Sequence, residues 1–315
     1  MSDSLRLRFW GVRGSIPSPG PDTVRYGGNT SCVTLEAAGI AGGVDGKPGL
    51  IVFDAGSGLR LLGMHLLREK LLPVWAHLFL THTHWDHIQG FPFFVPALIP
   101  GNHVSIFGNA EGEGDVAGAL EGQMVHRYFP IGLRQMAAKL EFHHLDYGEH
   151  QVAGVHVTVA PLNHSSATVG YRVETAGRSV VYLTDAEPRR VNDANVIDPV
   201  MLGLAAGADV LIHDAQYTDE EFPGKIGWGH SPLSYVVDFA MQAGVKRLVL
   251  LHHDPMSTDA RLDALLKTAR ERAAAAGARL EIDAAYEGLQ IELPGNAQRD
   301  RKRALQEPAA SVAAS

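Results

Sequence analysis

The sequence predicts an α/β protein folded as a four-layer αββα sandwich, with two sheets packed face to face and helices on both outer faces. Three observations lead there. Apolar runs are short and bounded by turn residues, so most of them read as strands. Amphipathic helical stretches are interspersed with these runs rather than gathered in a separate block. Consecutive strands followed by strands mixed with helices occur once and then recur. At 315 residues the chain has room for one large α/β domain. No linker interrupts the pattern, and the domain is expected to span residues 1–293.

In order, strands are predicted at Leu5–Trp10, Ser31–Ala37, Leu50–Asp54 and Leu78–Leu80. A helix over Gly58–Lys70 places Leu59, Leu62, Leu66 and Leu67 on one face. Further strands are predicted at Val104–Phe107, Leu140–His143, Val155–Ala160, Val169–Glu174, Ser179–Thr184, Val210–His213, Leu248–Leu251, Leu280–Ile282 and Leu289–Leu293. Ser231-Pro232 reads as an N-cap with proline at the first helical position. Leu233, Val236, Val237, Ala240 and Met241 follow at helical spacing, and Gly244 ends that helix. A last helix runs from about Thr258 to Ala276, with Gly277 after it. The Gly- and acid-rich stretch Ala110–Gly122 is expected to be a mobile loop or insertion. The tail over residues 294–315 is expected to be disordered.

Composition narrows the function classes. A net charge of −8 argues against strong non-specific attraction to nucleic acid, which leaves nucleic acid as an open partner. The single cysteine, Cys32, excludes an intramolecular disulfide framework and reads as a buried structural thiol. The first residues lack a signal-peptide core, and no apolar run approaches membrane-span length, so the expected location is the cytoplasm with no membrane partner.

The chemistry concentrates in His82-Thr-His84-Trp-Asp86-His87, directly after an apolar strand-like run. Imidazoles and carboxylates suit zinc and similar divalent ions. The chain turns at a strand end, so neighbouring side chains can converge on one point. Other ligand-type residues stand near the ends of other strands: His164 after Val155–Ala160, Asp185 after Val180–Thr184, and His252 and His253 after Leu248–Leu251. One such histidine is usually structural; four such places in one chain point to a shared centre. Six or seven ligands suit two metal ions with one carboxylate between them.

This ordered set resembles the metallo-β-lactamase superfamily, over roughly Leu5 to Leu293. The resemblance implies a four-layer αββα metallo-β-lactamase sandwich and two divalent ions, zinc first, with manganese or iron as alternatives. His82, His84 and His164 would hold one ion, Asp86, His87 and His252 the other, and Asp185 would bridge them. His253 is the alternative to His252. A finer similarity is to ribonuclease Z and its phosphodiesterase relatives, through His213-Asp214-Ala215-Gln216 and Gly227-Trp-Gly-His230-Ser231-Pro232. Asp214 stands where tRNA-processing members have Glu, and Pro232 where they have Thr. The segments Phe9-Trp-Gly-Val-Arg-Gly14 and Tyr26-Gly-Gly-Asn-Thr-Ser31 resemble bacterial class II cyclic-nucleotide-phosphodiesterase-like hydrolases.

The expected reaction is hydrolysis of a small or cyclic nucleotide-like phosphodiester by a hydroxide held between two metals. Asp86 would take the water's proton, and His230, oriented by Asp214, would protonate the leaving oxygen. His230 reads equally as a residue that caps the helix or packs beside it. The alternatives are an RNA 3′-processing endonuclease and, further off, a lactam, thioester or lactone hydrolase. A diiron redox protein would have a carboxylate in place of His84. Asp54 is expected to support the site rather than ligate. Arg13 and Asn29 are expected to face substrate, with Arg13 equally readable as a surface or loop-bracing residue; Trp85 packs against the metal loop, and Tyr217 and Trp228 stack on a base or pack in the core. A homodimer is an open expectation.

Overall fold

The structure, a computed structural model, describes residues 4–42, 49–109 and 115–295. Six strands in succession build the first sheet: β1 (Leu5–Gly11), β2 (Cys32–Ala37), β3 (Leu50–Phe53), β4 (Trp75–Phe79), β5 (His103–Gly108) and β6 (Lys139–His144). The next four open the second: β7 (Gly148–Val152), β8 (Val155–Leu162), β9 (Thr168–Thr175) and β10 (Arg178–Leu183). A small hairpin, β11 (Arg189–Val191) and β12 (Ala194–Val196), stands apart. The second sheet is completed by β13 (Val210–Asp214), β14 (Arg247–Leu251) and β15 (Glu281–Ala284), and β16 (Gln290–Leu293) returns to the first. The orders are β16-β1-β2-β3-β4-β5-β6 and β15-β14-β13-β10-β9-β8-β7.

Each sheet is antiparallel on one side and parallel on the other. From β3 to β6, and from β10 through β13 and β14 to β15, the pairing is parallel. Parallel neighbours need crossovers, and helices supply them. They are α1 (Gly58–Arg68), the single turn α2 (Trp85–Ile88), α3 (Val116–Gln123), α4 (Pro199–Ala205), α5 (Leu233–Gln242) and α6 (Asp259–Ala275).

Alternation along the strands divides the apolar residues among three cores. Ile51 and Phe53, Val180 and Tyr182, Val210 and Ile212, and Val249 and Leu251 point between the sheets. Leu50 and Val52 point outward to α1. Val181 and Leu183, Leu211, and Leu248 and Leu250 point outward to α4, α5 and α6. Strands buried on both faces read as unbroken apolar runs, which is why they were visible in the sequence. The four layers are those expected.

Two local expectations need correction. In the stretch Ala110–Gly122, residues 110–114 lie outside the described residues, but α3 follows at once. Asp115 caps it by accepting from Gly118 N–H, and Val116 and Leu120 bury in the outer core, so this part is a docked helix, not a mobile loop. Ser231 is not the cap of α5. That place falls to Pro232, because Ser231 is engaged elsewhere: its hydroxyl donates to Ala186 C=O and its N–H to Asp214. In the tail, residues 296–315 lie outside the described residues. Among the described residues no helix is long and apolar enough to cross a membrane.

Candidate metal centre

The parallel strands deliver their C-terminal ends to one place, the usual location of a site in α/β sheets. Asp54 follows β3, the segment 81–87 follows β4, Asp185 follows β10 and His252 follows β14. His164 arrives after β8. Three of these residues hold left-handed backbone with side chains present: Asp54 at φ 57°, Asp185 at 61° and His252 at 54°. Such conformations cost about 1–3 kcal/mol each, and they cluster where a site demands them.

The seven expected ligands come together. His82, His84 and His164 form one group, and Asp86, His87 and His252 another, with the ligand atoms of each group within 4.8 Å of one another. Asp185 lies between them. Its Oδ2 is 3.1 Å from His87 Nε2 and 3.3 Å from His252 Nε2, and its Oδ1 is 3.9 Å from His164 Nε2. His84 and His164 face each other at 3.2 Å, and His87 Nε2 and His252 Nε2 at 3.1 Å. His253 does not join the cluster: its Nε2 bonds Ala285 C=O at 2.8 Å, and burial pushes its pKa down to about 4.

The donor set fits cations. His82 Nε2 and Asp185 Oδ2 are buried without a hydrogen-bond partner. Burial also holds His82, His84 and His164 below the ordinary imidazole pKa, in the neutral form that binds metal. At His87 burial opposes the charged form, but Asp86, Asp185 and Asp54 outweigh it and raise the pKa strongly. The pocket thus calls for positive charge. The far nitrogens are tied back, leaving the near ones for an ion. His82 Nδ1 lies 3.1 Å from Thr81 Oγ1 and His87 Nδ1 2.8 Å from Asp54 Oδ2, and the Gln216 side-chain amide stands 2.7 Å from His252 Nδ1. His164 Nδ1 donates to Gly229 C=O at 3.0 Å.

His230 is buried beside the cluster, with Nδ1 3.6 Å from Asp185 Oδ1 and 3.7 Å from Asp214 Oδ2. Burial works against its charged form, but Asp214 and Asp185 prevail and its pKa is raised. The contact with Asp214 is an ion-pair distance, longer than a hydrogen bond. Asp214 spends its hydrogen bonds on backbone, accepting from Ala186 N–H at 3.1 Å and Ser231 N–H at 3.0 Å. It fixes the loop that carries His230 rather than the ring alone.

A family model described as a beta-lactamase superfamily domain matches residues 50–253. The chain belongs to the metallo-β-lactamase superfamily. This superfamily member is a metal-dependent hydrolase. It is similar to a ribonuclease Z of Synechococcus sp. (strain CC9311), 25% identical over 295 residues, covering 80% of this chain and 88% of the relative. It is also similar to a ribonuclease Z of Mycobacterium sp. (strain KMS), 30% identical over 261 residues, covering 76% and 81%. Among solved structures, a diphosphatase from the PhnP family aligns with a TM-score of 0.62 at 20% identity, over 92% of this chain and 98% of that one. That likeness concerns the fold.

Asp54 supports the centre, holding His87, Thr81 N–H at 2.9 Å and Tyr182 OH at 3.0 Å. Arg13 is fully buried and braces loops through Gly27 C=O and Ser257 C=O. Asn29 likewise holds Glu287 and Ser57. Tyr217 is packed in the interior, while Trp228 is 59% exposed with Lys225 Nζ 3.8 Å over its ring. Trp85 does not pack on the metal loop. It is 67% exposed, because Asp86, His87 and Ile88 take the inward positions of the single-turn α2. Sequence reasoning missed Ser15, whose N–H donates to Asp86 Oδ2 at 2.7 Å, and also Thr81, Gln216 and Glu187. Thr81 and Gln216 stood inside or beside motifs already singled out; Glu187 had no pattern of its own.

Proposed function

We propose that this enzyme hydrolyses phosphodiester bonds of small or cyclic nucleotide-like substrates at a dinuclear centre. The observation that carries the reading is His230, a histidine with raised pKa buried against the candidate ligands and flanked by two carboxylates. Phosphodiesters with alkoxide leaving groups need a proton donor, and a raised imidazole pKa favours the protonated form that can donate. His82, His84 and His164 would hold one ion, Asp86, His87 and His252 the other, and Asp185 both. Zinc is the first choice for this nitrogen-rich set, with manganese and iron as alternatives. Bound divalent ions supply Lewis acidity and lower the pKa of water. Asp86, fixed by Ser15 N–H, is the residue to receive the water's proton. The exposed indoles of Trp85 and Trp228, both within two residues of the candidate machinery, favour a substrate bearing a flat ring such as a nucleobase.

A second reading, 3′ processing of precursor RNA, is favoured by the relatives named ribonuclease Z. One panel separates the two. Metallated protein is assayed on bis-p-nitrophenyl phosphate, 2′,3′- and 3′,5′-cyclic nucleotides, precursor tRNA and a lactam. Cleavage of the small diesters with tRNA spared is the expected result, and absence of any phosphodiester cleavage overturns the proposal. His230→Ala is expected to keep its metals and lose about 10²- to 10⁴-fold in rate on an alkoxide leaving group, while p-nitrophenolate release changes little.

A further inference from the structure

Glu187 is a buried carboxylate, 7% exposed, two residues beyond Asp185, and it belongs to none of the candidate ligand groups. Its partners are backbone amides. Gly227 N–H donates to both of its oxygens at 2.9 Å, and Gly229 N–H donates to Oε2 at 2.7 Å. Asp214 takes the next alternate amide, that of Ser231, at 3.0 Å. Two buried carboxylates thus grip residues 227, 229 and 231, and His230 projects from between the grips.

The same turn reaches the other end of the centre. Gly229 C=O accepts from His164 Nδ1 at 3.0 Å, which obliges the proton to sit on Nδ1 and leaves the Nε2 lone pair directed at the His82–His84 group. Glycine alone permits this. Gly229 has φ 87°, and a Cβ there would lie 1.9 Å from His164 Nδ1. Glu187 is itself fastened to the segment bearing His164. Its N–H donates to Asn163 C=O at 2.8 Å, and Asn163 Nδ2 donates back to Glu187 C=O at 3.1 Å.

We infer that Glu187 is a positioning residue that sets two things through one backbone turn: the tautomer of His164 as a metal ligand, and the placement of His230 as proton donor. The second half rests on the proposed phosphodiesterase reading; the first half does not. A carboxylate suits the task because it only accepts, and three N–H contacts must be met by two oxygens. Glutamine would set an NH₂ against one of those amides.

The test uses the full chain with both metal equivalents, as Glu187→Ala and Glu187→Gln. Zinc affinity is measured by competition with a chromogenic chelator. Glu187→Ala is expected to weaken one of two zinc equivalents about 10- to 100-fold and leave the other unchanged. Glu187→Gln is expected to fall between it and wild type, and it carries the test if the alanine variant does not fold. At saturating zinc, the rate on an alkyl leaving group is expected to drop about 10- to 100-fold with p-nitrophenolate release preserved, the pattern of a misplaced proton donor. Wild-type affinity for both zincs together with wild-type leaving-group dependence overturns the inference. Equal losses on both leaving groups also overturn it, since they mark a purely structural role. If wild type cleaves no phosphodiester, the functional reading fails, and the chelator titration still decides the His164 half.

Discussion

Asp54 ligates nothing in the arrangement described, yet His87, Thr81 and Tyr182 all converge on its carboxylate. Asp54→Ala is expected to lower affinity for the ion at the Asp86–His87–His252 group about 10- to 100-fold. It should also destabilise the fold by about 1–3 kcal/mol, through donors left unpaired. Chelator competition and thermal melts check both, and wild-type zinc affinity would remove Asp54 from the centre's support. Residues of this kind differ in how readable they are. The candidate ligands and Asp54 announce themselves as polar residues directly after apolar strands. Ser15 and Glu187 do not, because Ser15 donates its own N–H to the distant Asp86 and Glu187 accepts from the distant amides of Gly227 and Gly229, and such contacts leave no period or spacing. His253 stands apart from the cluster because its ring bonds Ala285 C=O, and no pattern in the sequence could show that.

At the scale of elements, legibility followed burial. Strands covered on both faces were found within a residue or two, apart from β4, which begins at Trp75, three residues before the expected Leu78. Edge strand β7 was missed because Gly148-Glu-His-Gln is largely solvent-facing, and hairpin β11–β12 is nearly all exposed for the same reason. Helix α4 carried its signal openly, with Asp198 as cap and Pro199 at the first position, but it is too short to show a period. Where elements join, Asp209 clamps three of them at the start of β13. It accepts from Ser179 N–H at 3.0 Å in β10, and it pairs with Arg178 at 3.1 Å and with Lys246, beside β14, at 2.7 Å. Burial raises its pKa, but Lys246, Ser179 and Arg178 outweigh that and lower it. A folded pKa below the unfolded value of about 3.9 means the stabilisation is present above that pH and fades as pH falls through the folded value. Asp209→Asn is therefore expected to cost about 2 kcal/mol at neutral pH, with the gap to wild type closing below about pH 4. Urea melts at the two pH values check it, and a gap that persists at low pH would contradict the ionised clamp.

Across the whole molecule, the centre draws on both sheets, with 81–87 and Asp54 from the first and His164, Asp185 and His252 from the second. An ion held there fastens one sheet to the other, so removing it should be felt globally. Each site at 100-fold over its dissociation constant contributes about 2.7 kcal/mol. Exhaustive chelation is expected to lower the melting temperature by several degrees in a zinc-reversible way, and coincident melts of stripped and reloaded protein would refute it. The four layers were legible because the strand and helix pattern recurs. The strand order was not, since nothing local tells β1 that one of its neighbours is β16.

That pairing matters for a nascent chain. Leu5 lies opposite Leu293, so the ribosome must deliver the whole stretch between them before β1 acquires its outer neighbour. Until then β1 offers an open edge to any other strand, including that of a second unfinished copy. Arg6, later paired with Glu292 at 3.0 Å, and Arg8 place charge along that edge during the wait. A chain released before β16 is made would keep the edge for good, and aggregation rather than lost catalysis would be its first defect.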